Sequence, residues 1–307
     1  MAPAVSVIVP TTRWSDHLLT AVTSVLAQSM GDLELLVVTN RPGIDLSGLP
    51  TDPRARALHE PVPGKAAAVN RAATAARGRY LAFLDHDDIW EPHKLERQLT
   101  VLAHWDGLPA CTTQHRVIDA CGGTVRPGGS RPLRYQELLR GRFCFLFSSL
   151  VVDRGLFSHL GGLATSYFTA DDYDFFLKLA SAGEVAFVEE CLVRYRVHSF
   201  MTTVTQHRLM RREALAILSG QRRLAVGRRD WRSAACALRG SMSTMRHYSL
   251  IDLRLAADAA HSHQRARQVR LLVQAAVGFP PVLGESAAAW ARHRLAPPQP
   301  QAGDRRR

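Results

Sequence analysis

The chain has 307 residues, 46% of them hydrophobic, enough for a sizeable core in one large domain or two ordinary ones. Its formal net charge of +12 is unevenly spread: residues 1–203 hold 20 Lys and Arg against 21 Asp and Glu, whereas residues 204–307 hold 19 Arg, no Lys and 6 acids. No apolar run reaches the roughly 18 residues that span a bilayer, the N-terminus lacks a secretory pattern, and the five cysteines (111, 121, 144, 191 and 236) have no CxxC spacing and read as free thiols rather than a disulfide framework or zinc site.

The first hundred residues alternate strand and helix. VSVIVP (5–10) is β-branched and continuously apolar, as a buried parallel strand is. SDHLLTAVTSVLAQS follows as a helix that Ser15 or Asp16 can cap, with Leu18, Leu19, Val22, Val25 and Leu26 on one face. LELLVV (33–38) predicts a second buried strand and residues 55–59 a short third. GKAAAVNRAATAARG (64–78) predicts a helix closed by Gly78, and YLAFL (80–84) the next strand. Pro92 then opens a helix carrying Leu95, Leu99 and Leu102. This order implies an α/β fold, a mostly parallel sheet covered by helices on both faces.

Further along, residues 109–118 and 123–126 read as short strands around a turn, and 134–141 as a helix. FCFLFSSLVVD (143–153) reads as a strand, DDYDFFLKLASAG as a helix closed by Gly183, and 185–198 as strands. After residue 205 strand signals vanish, and helices are expected near 206–226, 230–246 and 252–276. The boundaries that follow are 1–204 for a catalytic domain, 205–296 for an Arg-rich helical extension and 297–307 for a disordered tail.

LDHDDIW (84–90) crowds Asp85, Asp87 and Asp88 at the end of a predicted strand, and open α/β sheets bind ligands at that edge. Close carboxylates repel one another, and a divalent cation with oxygen preference, Mg²⁺ or Mn²⁺, relieves the repulsion while taking substrate phosphates into its shell. The residues alone leave two readings: a metal–diphosphate seat, or a solvated turn whose Asp88 favours the start of the next helix.

The ordered set VSVIVPTTRW, SVLAQS, LELLVV and GKAAAVNRAATAARGRYLAFLDHDDIWEPHKLERQ resembles the nucleotide-sugar-binding half of the family 2 glycosyltransferases, and ADDYDFFLKLASAG and CLVRYRVHSFMTT resemble their second half. The resemblance covers about residues 4–203 and implies the GT-A fold, a Rossmann-like nucleotide-diphospho-sugar transferase fold, here with a C-terminal helical extension. It implies an inverting, metal-dependent transfer of a sugar from a nucleotide donor to an acceptor hydroxyl, in polysaccharide, glycolipid or related synthesis. By the resemblance, Asp85 contacts the ribose, and Asp87, with Asp85 and His198, binds Mn²⁺ or Mg²⁺ on the diphosphate. Pro10, Thr11, Thr12, Asn40, Lys65 and Asn70 line the nucleotide, and Asp172 is the catalytic general base, with Asp171 a second catalytic carboxylate and Asp171 or Asp174 the alternative base. Asp174 reads as a structural pairing residue. The family's acidic pair after the second strand is replaced here by Thr39 and Asn40, which carry no charge; a UDP- or dTDP-sugar remains the expected donor. His86, inside the motif, is assigned no role.

RRLAVGRRDWR (222–232) and QRARQVRLLVQAAVGF (264–279) mix Arg with apolar residues. That composition suits helices packed on the catalytic domain with arginines outward, and it also suits an anionic membrane surface. The second possibility fits a glycan or lipid-linked acceptor and a cytoplasmic protein at the inner face of the membrane. A non-catalytic nucleotide-sugar binder is the alternative. Nucleic-acid binding through the basic C-terminal region is the rival reading, drawn from the arginine count; against it, the arginines are not part of a recognisable binding motif, and no nucleic-acid partner is expected.

Overall fold

A computed structural model describes residues 2–104, 108–142, 145–198, 201–261 and 271–275. In chain order the elements begin with β1 (Val5–Thr11), α1 (Asp16–Leu26), β2 (Leu33–Thr39), β3 (Ala55–His59), α2 (Lys65–Ala75), β4 (Tyr80–Phe83), β5 (Ile89–Trp90) and α3 (Lys94–His104). They continue with β6 (Ala110–Ile118), β7 (Thr124–Pro127), α4 (Tyr135–Leu139), β8 (Val151–Asp153), α5 (Arg154–His159), α6 (Asp171–Ala182) and β9 (Ala186–Arg196), then the helices α7 (Thr202–Thr205), α8 (His207–Gly227) and α9 (Trp231–His261). The described strands form one mixed sheet in the order β3-β2-β1-β4-β8-β6-β9-β5, with β7 pairing β6.

The first half matches the predicted alternation. β3, β2, β1 and β4 are parallel, and successive residues of β1 and β2 feed different apolar clusters: Ile8, Leu36 and Val38 one, Val7, Val9, Leu35 and Val37 the other. Burial on both faces is why these strands read as unbroken apolar runs. The chain reverses its direction of travel across the sheet between β1 and β4, so the carboxyl ends of these two strands flank a switch point where such sheets take ligands. Pairing of β1 with β4 ends at Ile8–Phe83, so Pro10, which lacks an N–H, follows in the part of β1 that β4 leaves unpaired. Ser15 caps α1, its hydroxyl accepting from the Leu18 amide at 3.2 Å.

Several expectations are corrected. The sheet is mixed beyond β4, because β8 runs antiparallel to both β4 and β6. FCFLFSSLVVD is a strand only over 151–153: residues 147–149 make a 3₁₀ turn, in which the Ser149 hydroxyl and amide both donate to the Leu146 carbonyl, and serine hydroxyls compete with a ladder in this way. Residues 143–144 lie outside the described ones. α2 ends at Ala75, and Gly78 does not close it. Gly78 lies against β1, where a Cβ would stand 2.5 Å from the Ser6 nitrogen. The helices expected at 230–246 and from 252 onward are continuous as far as His261, since neither Gly nor Pro interrupts residues 247–251. The remainder of the expected last helix is described only at 271–275, and the tail expected at 297–307 lies outside the described residues. Contacts divide the chain into two compact units that meet at Gly240 and Ser241. Within the first, α8 buries Ala214, Ile217 and Leu218 in the cluster that holds Phe175 and Phe176 of α6.

Candidate active site

The acidic turn leaves β4 at the switch point and closes through the Asp88 amide donating to the Asp85 carbonyl at 3.1 Å. Its three carboxylates have separate environments. Asp88 is 1% exposed and points inward, accepting from the Ser148 hydroxyl at 2.5 Å and from the Arg196 amide at 2.9 Å. Burial, with Asp87 and Asp85 nearby, pushes its carboxyl well above the ordinary carboxylate range. The next helix starts only at Lys94, so Asp88 does not cap it. Instead Asp88 joins the 147–149 turn to β9. Ser148 also accepts from the Asp85 amide at 3.1 Å, and the Arg196 guanidinium donates to the Asp87 carbonyl at 2.9 Å. The turn is therefore gripped from both sides by residues distant in sequence.

Asp87 is partly exposed, and its Oδ2 lies 3.0 Å from Nε2 of His198. Burial opposes its ionisation, but His86, the His198 hydrogen bond and the backbone hold its pKa below the usual value. His198 in turn stacks on His17, with ring centroids 6.0 Å apart. Burial depresses the His86 pKa, and its Nε2 is buried without a hydrogen-bond partner.

Asp85 meets Lys65, with Nζ 2.7 Å from Oδ1. Gly64 precedes this lysine at φ +116°, a backbone conformation that other residues rarely adopt, and turns the chain into α2. The lysine Nζ also sits 4.4 Å above the Phe147 ring. Burial works against its charge, yet Asp85, Asp171 and Asp172 together raise its pKa. One lysine thus draws the end of β4 and the start of α6 to a common point.

Asp171 and Asp172 are the first two residues of α6. Asp171 is 3% exposed, and one of its oxygens is buried without a hydrogen-bond partner. Burial raises its pKa to about 7, against the pull of Lys65 and with the help of the neighbouring Asp172 charge. Asp172 is more open; burial raises its pKa as well, partly offset by Lys65 and by a 2.7 Å hydrogen bond from the Tyr173 amide. Asp174 pairs with Lys178 at 2.7 Å.

The expected nucleotide-contacting residues occupy the carboxyl edge of the parallel strands. Thr11 lies beside Thr39, and Thr39 beside His59. Pro10, Thr11 and Asn40 are buried, Thr12 is exposed, and the Thr11 hydroxyl is committed to the Arg13 carbonyl at 2.7 Å. A surface pocket of about 480 Å³ opens at the ends of β2 and β3, with Thr39, Arg41, Ile44, Leu46 and His59 among its walls. Asn70 has both ends of its amide engaged: it donates to the Leu163 carbonyl at 2.8 Å and accepts from the Leu163 amide at 2.9 Å. In the structure it fastens α2 to the loop that leads towards α6. Sequence reasoning missed Ser148 and Arg196, and only the arginine had a signal, its place in the YRVH string.

No group of three or more His, Cys, Asp or Glu among the described residues is arranged to hold a metal ion. Asp87 and His198 offer two adjacent donor atoms, one carboxylate and one imidazole, which fits a cation that draws its remaining ligands from water and a diphosphate. No described helix is long and apolar enough to cross a membrane.

Residues 6–120 match the family model described as Glycosyl transferase family 2. An uncharacterized glycosyltransferase of Rickettsia felis is 27% identical over 212 residues, covering 64% of this chain and 35% of its own. Chondroitin synthase of Escherichia coli is 26% identical over 208 residues, 66% of this chain and 30% of its own. The chain thus spans about a third of the length of each of these relatives. Residues 1–349 of S. aureus TarS, solved with UDP-GlcNAc, share the architecture with a TM-score of 0.57 at 14% identity, over 94% of this chain and 92% of that one. The fold is GT-A, and over residues 6–120 the chain is similar to the family 2 glycosyltransferases.

Proposed function

We propose that the chain transfers a sugar from a nucleotide-diphosphate sugar to an acceptor hydroxyl with inversion at the anomeric carbon. The observation that carries this reading is Lys65, which is ion-paired with Asp85 and held charged by Asp171 and Asp172. It unites a turn suited to the diphosphate with a carboxylate pair suited to the acceptor. A uridine donor is supported by the UDP-GlcNAc complex of TarS, and Pro10, Thr11, Thr12 and Asn40 are the residues assigned to the nucleotide end.

Transfer needs a stabilised leaving diphosphate and an activated hydroxyl. Asp87 and His198 are the groups that would hold Mn²⁺ or Mg²⁺, whose chemistry when bound is charge neutralisation on the diphosphate. Lys65 offers phosphate oxygens a positive charge close to Asp85. Asp172, more open than Asp171 and with a raised pKa, takes the proton of the acceptor hydroxyl, which frees the oxygen to attack on the face opposite the leaving group. Asp171, buried beside it, keeps a second carboxyl close without meeting solvent.

The decisive experiment is product analysis with a panel of UDP- and dTDP-sugars in Mn²⁺. A nucleoside diphosphate released together with a sugar of inverted anomeric configuration is the expected result. Tight donor binding with no turnover in the presence of any acceptor would favour a non-catalytic binder instead.

The acceptor reading extends to the α8–α9 corner. There Leu224, Val226, Trp231 and Leu238 are exposed, and so are Arg222, Arg223, Arg228, Arg229, Arg232 and Arg239. Trp231, Ala235 and Leu238 follow i, i+4, i+7 spacing on α9, so the exposed apolar residues form a stripe. An apolar stripe edged by arginine suits an anionic lipid surface, and through it a lipid-linked acceptor.

A further inference from the structure

We propose that Glu213, on helix α8, is a positioning residue for the carboxylate pair at the start of α6. The proposal rests on reading Asp172 as the base.

The helix α6 has a weak start of its own. Its N-cap is Ala170, whose side chain has no oxygen to accept from the first amides. The three residues at and before the cap, Phe168, Thr169 and Ala170, turn their amides towards a single carboxylate. Phe168 donates to one oxygen of Glu213 at 3.0 Å; Thr169 and Ala170 donate to the other at 2.8 and 3.1 Å. The Thr169 hydroxyl adds a fourth bond at 2.7 Å. Successive amides of this kind form an anion-binding concavity, and a helix N-terminus strengthens it. Here the anion is internal: Glu213 is 8% exposed, and although burial opposes its ionisation, these hydrogen bonds keep its pKa below the ordinary value.

The anchor is itself rigid. Ala214, Ile217 and Leu218 fix α8 in the apolar cluster that contains Phe175 and Phe176. Residues 168–170 are therefore held by a helix about forty positions downstream, and Asp171 and Asp172 follow without an intervening residue. Any rotation of that short segment re-aims both carboxylates. The helix that fixes the base thus lies beyond residues 6–120, the part matched by the family model. Glu213 touches no reacting atom in this account; it acts through the backbone of α6.

The test uses the full chain with Glu213→Gln, Glu213→Asp and, as a reference, Asp172→Asn. Hydrolysis of UDP-GlcNAc in Mn²⁺ gives kcat and KM, calorimetry with UDP gives nucleotide affinity, and amide hydrogen exchange reports on residues 168–172. Gln keeps the size of the side chain but, even in its better orientation, sets an NH₂ against the Phe168 amide and removes the negative charge. Expected is a kcat about 10- to 100-fold lower, the scale of a misplacement of about 1 Å, with UDP affinity and KM unchanged and faster exchange confined to 168–172. The Asp variant, still a carboxylate, recovers part of kcat. A Gln variant with wild-type kcat, or one that loses kcat and UDP affinity together, overturns the proposal. The reference separates two failures: normal turnover by Asp172→Asn removes the base assignment and the proposal with it, whereas an inactive Asp172→Asn beside a normal Glu213→Gln removes the proposal alone.

Discussion

Among single residues, Asp172 and Asp171 each carry a prediction of a different kind. Asp172→Asn is expected to lower transfer by about 10²- to 10⁴-fold, the usual worth of a general base, while leaving donor affinity nearly intact; normal turnover would remove the assignment. Because its carboxyl is raised by burial, the acid limb of the pH–rate profile should lie above the ordinary carboxylate range, and activity should fall as pH drops through it. Asp171 makes a separate prediction about stability. Folding raises its pKa to about 7, so the folded chain holds that proton more tightly than the unfolded chain. The stability this contributes is complete below the ordinary carboxylate range and is lost as pH rises towards 7. Asp171→Asn should therefore raise the melting temperature at pH 8 relative to wild type, by about 2–4 °C for each kcal/mol relieved, and should change it far less at pH 4. Equal shifts at both pH values would count against the burial argument.

At the level of elements, Gly78 and the 147–149 turn show what periodicity conveys and what it misses. Gly78→Ala places a methyl against the backbone of β1, where nothing can swing aside. A loss of about 1–3 kcal/mol, read as a lower denaturation midpoint, is expected of such overpacking. The parallel strands were legible as unbroken apolar runs, α1 and α3 by apolar residues at helical spacing, and α6 by its acidic start and closing Gly183. The acidic turn was legible as chemistry, since carboxylates at a strand end carry their own electrostatic signature. The grip on that turn was not. Ser148 and Arg196 act on it across 60 and 108 positions, and such pairing leaves no local pattern. Glu213 was invisible for the same reason, and Gly78 looked like a helix stop because close backbone approach and left-handed geometry both demand glycine.

On the scale of the whole molecule, charge is distributed unevenly along the chain. The nearly neutral first two thirds carry the acids of the candidate site; the excess of positive charge lies after residue 203. Flotation with liposomes containing anionic lipid should recover the protein, and recovery should fall as salt rises through the Debye screening range. Trp231, 66% exposed at the α8–α9 corner, is the residue to remove first, and Trp231→Ala should weaken recovery without altering UDP affinity. Equal recovery on neutral and anionic liposomes would instead indicate a purely apolar contact.

The ion pair of Lys65 with Asp85 has one more consequence. Before any donor arrives, Asp85, Asp87 and the Asp171–Asp172 pair stand against the charge of Lys65. A bare diphosphate adds two or more negative charges to a surface that already has an excess. Its entry is uphill unless countercharge travels with it, and with only Asp87 and His198 side by side the protein has little hold on a free cation. Donor and cation should then enter as a single ionic unit. Titration with Mn²⁺ alone should release little heat, UDP alone should bind weakly, and the two together should bind far more tightly than the product of their separate affinities.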